Sequence, residues 1–118
     1  MTASSLKTSL KPSLSVIIPA RDAAETIGAQ LTALASQVCS IPWEVIVVDN
    51  NSSDNTAELA RSHASAFTRF KVVVADNGTG AAYARNAGVA ATSTRWLAFC
   101  DADDIVKHNW LTNLVEAL

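Results

Sequence analysis

"EVIVVDNNSSDNTAELA", residues 44–60, holds a strand, a polar break and the opening of a helix. Val45 to Val48 form an unbroken apolar run with no solvent-facing position in it. Such a run suits a strand covered on both faces, the habit of parallel sheets. The "NNSSDNT" that follows is rich in side chains that cap helix N-termini. Spacing through Leu59 and His63 towards Phe67 then predicts a helix.

The same unit recurs on both sides of this stretch. Apolar runs occupy Leu14–Ile18, Trp43–Val48, Phe70–Ala75 and Trp96–Cys100. Between them, Ile27, Leu31, Leu34 and Val38 lie at helical spacing before Pro42, and an alanine-rich segment runs from Ala81 to Ala91 after "DNGTG". Leu111, Leu114, Val115 and Leu118 form a last apolar stripe. This alternation predicts an α/β fold: an open, mainly parallel sheet with right-handed crossovers and helices on both faces, Rossmann-like in plan. Ligands of such sheets bind beyond the carboxyl ends of the strands. Those ends read "PARD", "DNN", "DNG" and "DADD", so one polar rim is the expected site.

The bulk properties narrow the class. At 118 residues, 49% hydrophobic and 17% charged, the chain has the composition of one soluble globular domain. A net charge of −2 without a basic stripe excludes a general nucleic-acid binder. No apolar run is long enough to span a bilayer. Residues 1–13, "MTASSLKTSLKPS", carry no secretory h-region and are expected as a flexible tail, leaving one domain over residues 14–118. Cys39 and Cys100, without metal spacing, read as reduced core thiols of a cytoplasmic protein, free or peripheral at a membrane. His63 and His108 read as ordinary surface or satisfied histidines, and the three tryptophans as packing residues.

The rim carries the chemistry. Along an extended strand end Asp101 and Asp103 share a side and Ala102 takes the other. Two such carboxylates offer hard oxygen ligands suited to Mg²⁺ or Mn²⁺, with water and phosphate oxygens completing the shell. The plainer alternative is a solvated acidic turn in which Asp104 or a neighbour caps the next helix. Asp49 or Asn50 could hydrogen-bond a base or ribose, or could serve the turn alone. Gly78 and Gly80 permit close backbone approach, and Arg85 follows where it could meet a phosphate or a base carbonyl. "GTG" begins a GxGxxG pattern but Tyr83 occupies its third glycine, and no GxxxxGK[ST] is present. Nicotinamide or flavin enzymes and Walker-type NTPases are therefore unsupported.

Taken in order, "SVIIPARDAAETI", "EVIVVDNNSSDNTAELA", "NGTGAAYARNAGVAAT" and "WLAFCDADDIVKHNWL" make the chain resemble the N-terminal part of a family 2 glycosyltransferase with the GT-A fold. The resemblance covers Leu14 to the end. It implies the nucleotide-binding half of an enzyme that takes a nucleotide-diphosphate sugar as donor and passes the sugar to an acceptor, a saccharide, lipid or protein, with inversion. By the same resemblance Asp103 is the direct metal ligand of a DxD motif, and Asp101 contacts ribose or supports the metal shell. Asp49 and Asn50 lie near the nucleobase, Arg85 near base or diphosphate, and Pro19 and Ala20 form the wall beside the nucleotide. Two positions depart from the family pattern. Arg21 stands where an aromatic residue is common, and Asn50 where a second aspartate is.

The family's general base comes from a later acceptor half, and Asp22, Asp76 and Asp104 are poor substitutes. The expectation is a donor-binding half, truncated or split, whose last helix ends on its apolar stripe without a C-cap. Two rivals remain open: a non-catalytic nucleotide-binding or assembly module completed by another polypeptide or by a second copy, and a nucleotidyltransferase. The latter lacks the glycine- and lysine-rich opening loop that it would need.

Overall fold

A computed structural model describes residues 11–118. Residues 1–10, and with them most of the expected tail, lie outside the described residues. Ser13 is already tied to the sheet: its N–H donates to the Pro42 carbonyl at 2.8 Å, and its carbonyl accepts from Trp96 N–H at 3.0 Å.

Each apolar run forms a strand: β1 (Leu14–Ala20), β2 (Trp43–Asp49), β3 (Phe70–Val74) and β4 (Trp96–Phe99). All pairings are parallel, in the order β3-β2-β1-β4. The helices are α1 (Ile27–Ala35), α2 (Thr56–Arg61), α3 (Ala81–Ala90) and α4 (Trp110–Glu116), with a 3₁₀ turn at Ala64–Ala66. The expected open parallel α/β sheet is therefore present.

Strand alternation divides the core between two faces. Val16, Ile18, Val45 and Val47 face Ile27, Leu31 and Leu34 of α1, Ala60 of α2 and Leu111 of α4. Ile17, Ile46 and Val48 face Ala84 of α3. The α3 contact is close: a Cβ on Gly88 would stand 2.5 Å from Ile17 Cγ2 and 3.1 Å from Val48 Cγ2. At the foot of the sheet Glu44 Oε2 accepts from Ser15 Oγ at 2.9 Å and Thr92 Oγ1 at 2.8 Å, anchoring the α3–β4 connection. Trp43 meets Phe67 edge-on with centroids 6.0 Å apart, and Phe67 stacks on Phe70 at 5.5 Å. Arg95 lies 4.8 Å from the centre of the Trp96 ring.

Three helical expectations change. α1 ends at Ala35, not at Val38, which is 75% exposed. The Ser36 and Gln37 side chains bond back to the Ala33 carbonyl, and Gln37 also reaches the segment leading into α4. The second helix stops at Arg61, where Ser62 caps it through backbone bonds, and the 3₁₀ turn carries the chain to Phe67. On α4, Leu111 is buried and Val115 packs beside it, but Leu118 is 57% exposed, so the stripe engages only in part.

Because β2 and β3 lie on one side of β1 and β4 on the other, the chain reverses its direction across the sheet at β1. The β1–β4 boundary is the topological switch point, where sheets of this type leave a crevice at the strands' carboxyl ends.

Candidate functional site

Two loops at that end are laced together. Asp22 N–H donates to Ser52 Oγ at 2.9 Å, and Asp22 Oδ1 accepts from Ser53 N–H at 2.7 Å and Ser53 Oγ at 3.1 Å. Ala23 N–H donates to Thr56 Oγ1 at 2.8 Å, and Ala24 N–H to Asp54 Oδ2 at 3.1 Å. The Thr56 hydroxyl and N–H both donate to Asp54 Oδ1. The Thr56 hydroxyl, followed by backbone donors, holds the Asp54 carboxyl below its ordinary value of 3.8 despite some desolvation. Asp22 and Asn51 take left-handed backbone at φ 49° and 59°, which short polar side chains tolerate.

The loop between β3 and α3 hangs on Asn50. Its Nδ2 donates to the carbonyls of Ala75 and Gly78, at 2.8 and 3.0 Å, and its Oδ1 accepts from Gly80 N–H at 3.1 Å. Asn50 is buried and its carboxamide is fully engaged with protein. Gly80 has φ 104°, a conformation that L side chains rarely adopt, and a Cβ on Gly78 would fall 2.7 Å from the Tyr83 ring. Both glycines thus answer to loop geometry.

Asp49 differs from its neighbour. It is only 9% exposed, and Oδ1 is buried with no hydrogen-bond partner among the described residues. Burying an acceptor unpaired costs about 1–3 kcal/mol, so this oxygen stands out from the hydrogen-bonded groups around it.

At the fourth strand end Ala102 is buried, while Asp101 and Asp103 are exposed on either side of it. Neither carboxylate accepts a hydrogen bond among the described residues. Asp104 does not cap a helix: its Oδ1 takes Ile105 N–H at 3.0 Å, and α4 begins only at Trp110. Burial, then the charges of Asp101 and Asp104, push the Cys100 thiol up to about 12, which keeps it protonated and inert. Cys39 is free as well and is raised by burial. His63 lies against α1, with Nε2 3.5 Å from where a Cβ on Gly28 would stand.

A cleft of about 720 Å³ opens at the switch point. Pro19, Arg21 and Asp22 line it from β1 and its loop, Glu25 and Thr26 from the approach to α1, Arg85 from α3, and Asp101 and Asp103 from beyond β4. Of the residues expected at the site, Pro19, Arg85, Asp101 and Asp103 meet in this cleft. Ala20 is buried beneath it, and Asp49 and Asn50 stand at the neighbouring strand end. Arg21 and Arg85 have no ion-pair partner among the described residues. They share the opening with five carboxylates, of which Asp22 and Asp54 are engaged by loop donors. No cluster of three His, Cys, Asp or Glu side chains among the described residues is placed to hold a metal alone. A second cavity of about 520 Å³, at the other end of the sheet by Trp43 and Phe67, has no carboxylate in its lining.

Sequence reasoning missed Gln30 and Gln37, which hold the segment beyond β4. Gln30 Nε2 donates to the Asp101 carbonyl at 2.8 Å, and its Oε1 accepts from Val106 N–H at 3.0 Å. Gln37 Nε2 donates to the Lys107 carbonyl at 2.8 Å, and its Oε1 accepts from Leu111 N–H at 2.9 Å. Their spacing of seven, in register with the apolar stripe of α1, was the available signal.

The family model for glycosyl transferase family 2 matches residues 15–118. Glycosyltransferase AglE of Haloferax volcanii is 38% identical over 112 residues, covering 94% of this chain and 37% of AglE. An Escherichia coli UDP-Glc:alpha-D-GlcNAc-diphosphoundecaprenol beta-1,3-glucosyltransferase, WfgD, is 35% identical, covering 87% of this chain and 38% of WfgD. Among solved structures, S. aureus TarS 1-349 in complex with UDP-GlcNAc superposes with a TM-score of 0.77 at 27% identity, over 88% of this chain and 30% of that one. The mannosyltransferase PcManGT from Pyrobaculum calidifontis, in complex with GDP-Man and Mn²⁺, gives 0.77 at 26% identity, over 92% of this chain and 33% of that one. The chain thus spans less than two-fifths of the length of either curated relative.

Proposed function

We propose that this chain, which belongs to glycosyltransferase family 2 and has its GT-A fold, binds the nucleoside diphosphate of a sugar donor in the cleft between β1 and β4. One observation carries the reading: two guanidinium groups and the carboxylates of Glu25, Asp101 and Asp103, none with a side-chain partner among the described residues, line a single opening at the switch point. A diphosphate is dianionic or more, and no group of one sign could hold both it and a cation.

The donor set fits Mg²⁺ or Mn²⁺. Asp101 and Asp103 offer oxygen ligands and nothing softer, too few for a closed cage but suited to an ion that shares phosphate oxygens and water. In our reading Asp103 ligates the ion and Asp101 completes its shell or meets the ribose. Such an ion supplies Lewis-acid charge compensation to the departing diphosphate. Arg85 and Arg21 pair with phosphate oxygens, Arg21 standing where the family often has an aromatic residue. Asp49 Oδ1 accepts an N–H from the base, Asn50 keeps the adjoining loop in place, and Pro19 and Ala20 wall the nucleotide. Uracil and guanine both present a suitable N–H, and the relatives with UDP-GlcNAc or GDP-Man accommodate both types.

Transfer to an acceptor hydroxyl, with inversion, belongs to the whole protein in this proposal. The base that takes the hydroxyl proton is assigned to the acceptor part of the whole protein; within the cleft Asp22 and Asp54 are occupied by loop donors. We place the reaction on the cytoplasmic side, free or peripheral at a membrane. No helix among the described residues is long and apolar enough to cross one.

Calorimetric titration with UDP and with GDP, with and without MnCl₂, tests the site. At least one nucleotide is expected to bind more tightly with the metal, and Asp103→Ala to remove that gain. Metal-enhanced affinity that survives Asp103→Ala would overturn the assignment.

A second reading, a binding module completed by another polypeptide, is favoured by Leu97 and Phe99. They lie 41% and 43% exposed on the edge strand β4. Sedimentation of the purified chain separates the readings, since a monomer at all concentrations disfavours completion by a second copy.

A further inference from the structure

Gln30 is the one fully buried polar side chain on the core face of α1, set among Ile27, Leu31 and Leu34. A carboxamide in such a place is unfavourable unless both its ends are bonded. Both are, and to the same loop. Nε2 holds the Asp101 carbonyl at one end and Oε1 holds the Val106 N–H at the other. Within residues 101–106 these are the only hydrogen bonds that leave the loop among the described residues. The others, Asp104 N–H to the Asp101 carbonyl and Ile105 N–H to Asp104 Oδ1, are internal. Besides the apolar packing of Ala102 and Val106, the carboxylate loop is therefore fastened to the scaffold by one polar side chain.

We propose that Gln30 is a positioning residue that fixes the Asp101–Asp103 pair for its ligand before the ligand arrives, acting through the backbone of the loop. Gln37, just past the end of α1, secures the far end at Lys107 and Leu111. The proposal rests on the donor-site reading above. Its consequence is selective: loss of Gln30 loosens the carboxylates but leaves Arg21, Arg85 and Asp49 where they are. The metal-dependent part of nucleotide affinity is lost, and the metal-independent part is kept.

Two variants of the full chain test this, with UDP and GDP as probes and each affinity measured with and without MnCl₂. Gln30→Leu keeps the volume and removes both bonds. It is expected to lower the metal-dependent gain by about ten-fold, with metal-free affinity changed by less than about two-fold. Gln30→Met keeps the unbranched shape, also removes both bonds and is expected to lose the same part of the gain. Hydrogen exchange in the parent chain, where the Val106 amide should be protected like the amides of β4, decides the matter even where both variants fold poorly.

A Gln30→Leu gain within two-fold of the parent overturns the role of Gln30, as does equal loss of metal-free and metal-dependent affinity. A Val106 amide that exchanges in the parent as fast as an exposed loop amide does so too. A parent chain with no metal-dependent gain for either nucleotide removes the donor-site reading itself, and this proposal with it.

Discussion

At the scale of single residues, Asp49 and Asn50 show how adjacent polar side chains divide. Asn50 makes three hydrogen bonds within the protein, while Asp49 leaves Oδ1 buried and unpaired. An isosteric Asp49→Asn should leave stability in urea unfolding within about 0.5 kcal/mol, because whichever carboxamide atom replaces Oδ1 is as unpaired as the oxygen it replaces. The same change should weaken nucleotide binding. Parallel loss of both would count against a ligand at that oxygen. Asp54 is the opposite case, a carboxylate depressed by the donors it accepts. Its contribution is present above the ordinary value of 3.8 and is lost as pH falls through the depressed one. Protection of the Ala24 and Thr56 amides, taken relative to their intrinsic exchange rates by NMR, should fall only below that value, and Asp54→Ala should abolish the step. The acidic positions were legible because a buried run ending in carboxylates is unusual. Gln30 and Gln37 were not, since a glutamine at helical spacing carries no mark of what its two ends will meet.

At the scale of elements, the strands were readable almost to the residue and the helix ends were not. A doubly covered strand needs an apolar side chain at nearly every position, whereas a helix stops wherever a side chain or the backbone finds a better partner for its last carbonyls. α1 gave up Val38 because Ser36 and Gln37 bond back to Ala33. α3 could be recognised by its alanines, but not how close it lies. Gly88 allows that approach, and Gly88→Val should destabilise the fold by about 2 kcal/mol or more in urea unfolding, through collision with Ile17 and Val48. A change under half that size would mean that α3 can lift away from the sheet without penalty.

At the scale of the whole molecule, local patterns predict parallel strands and a common rim, but not the order β3-β2-β1-β4. That order is set by which edges pair over long separations, and it decides that "PARD" faces "DADD" across the cleft. It also leaves β4 at an edge with Leu97 and Phe99 half-exposed. Purified chain should self-associate as concentration rises, and Leu97→Thr with Phe99→Thr should suppress this in sedimentation velocity. Unchanged association would assign it to another surface.

The pairing of Leu14 with Trp96 joins the first residue of β1 to the first residue of β4. β1 and β2 can zip together early, but the fourth strand must await the closing of a long intervening segment, the slow kind of event in folding. Both walls of the cleft meet only then. Recognition of a nucleotide would thus wait for the docking of β4, and a bound nucleotide should most retard hydrogen exchange in residues 96–99.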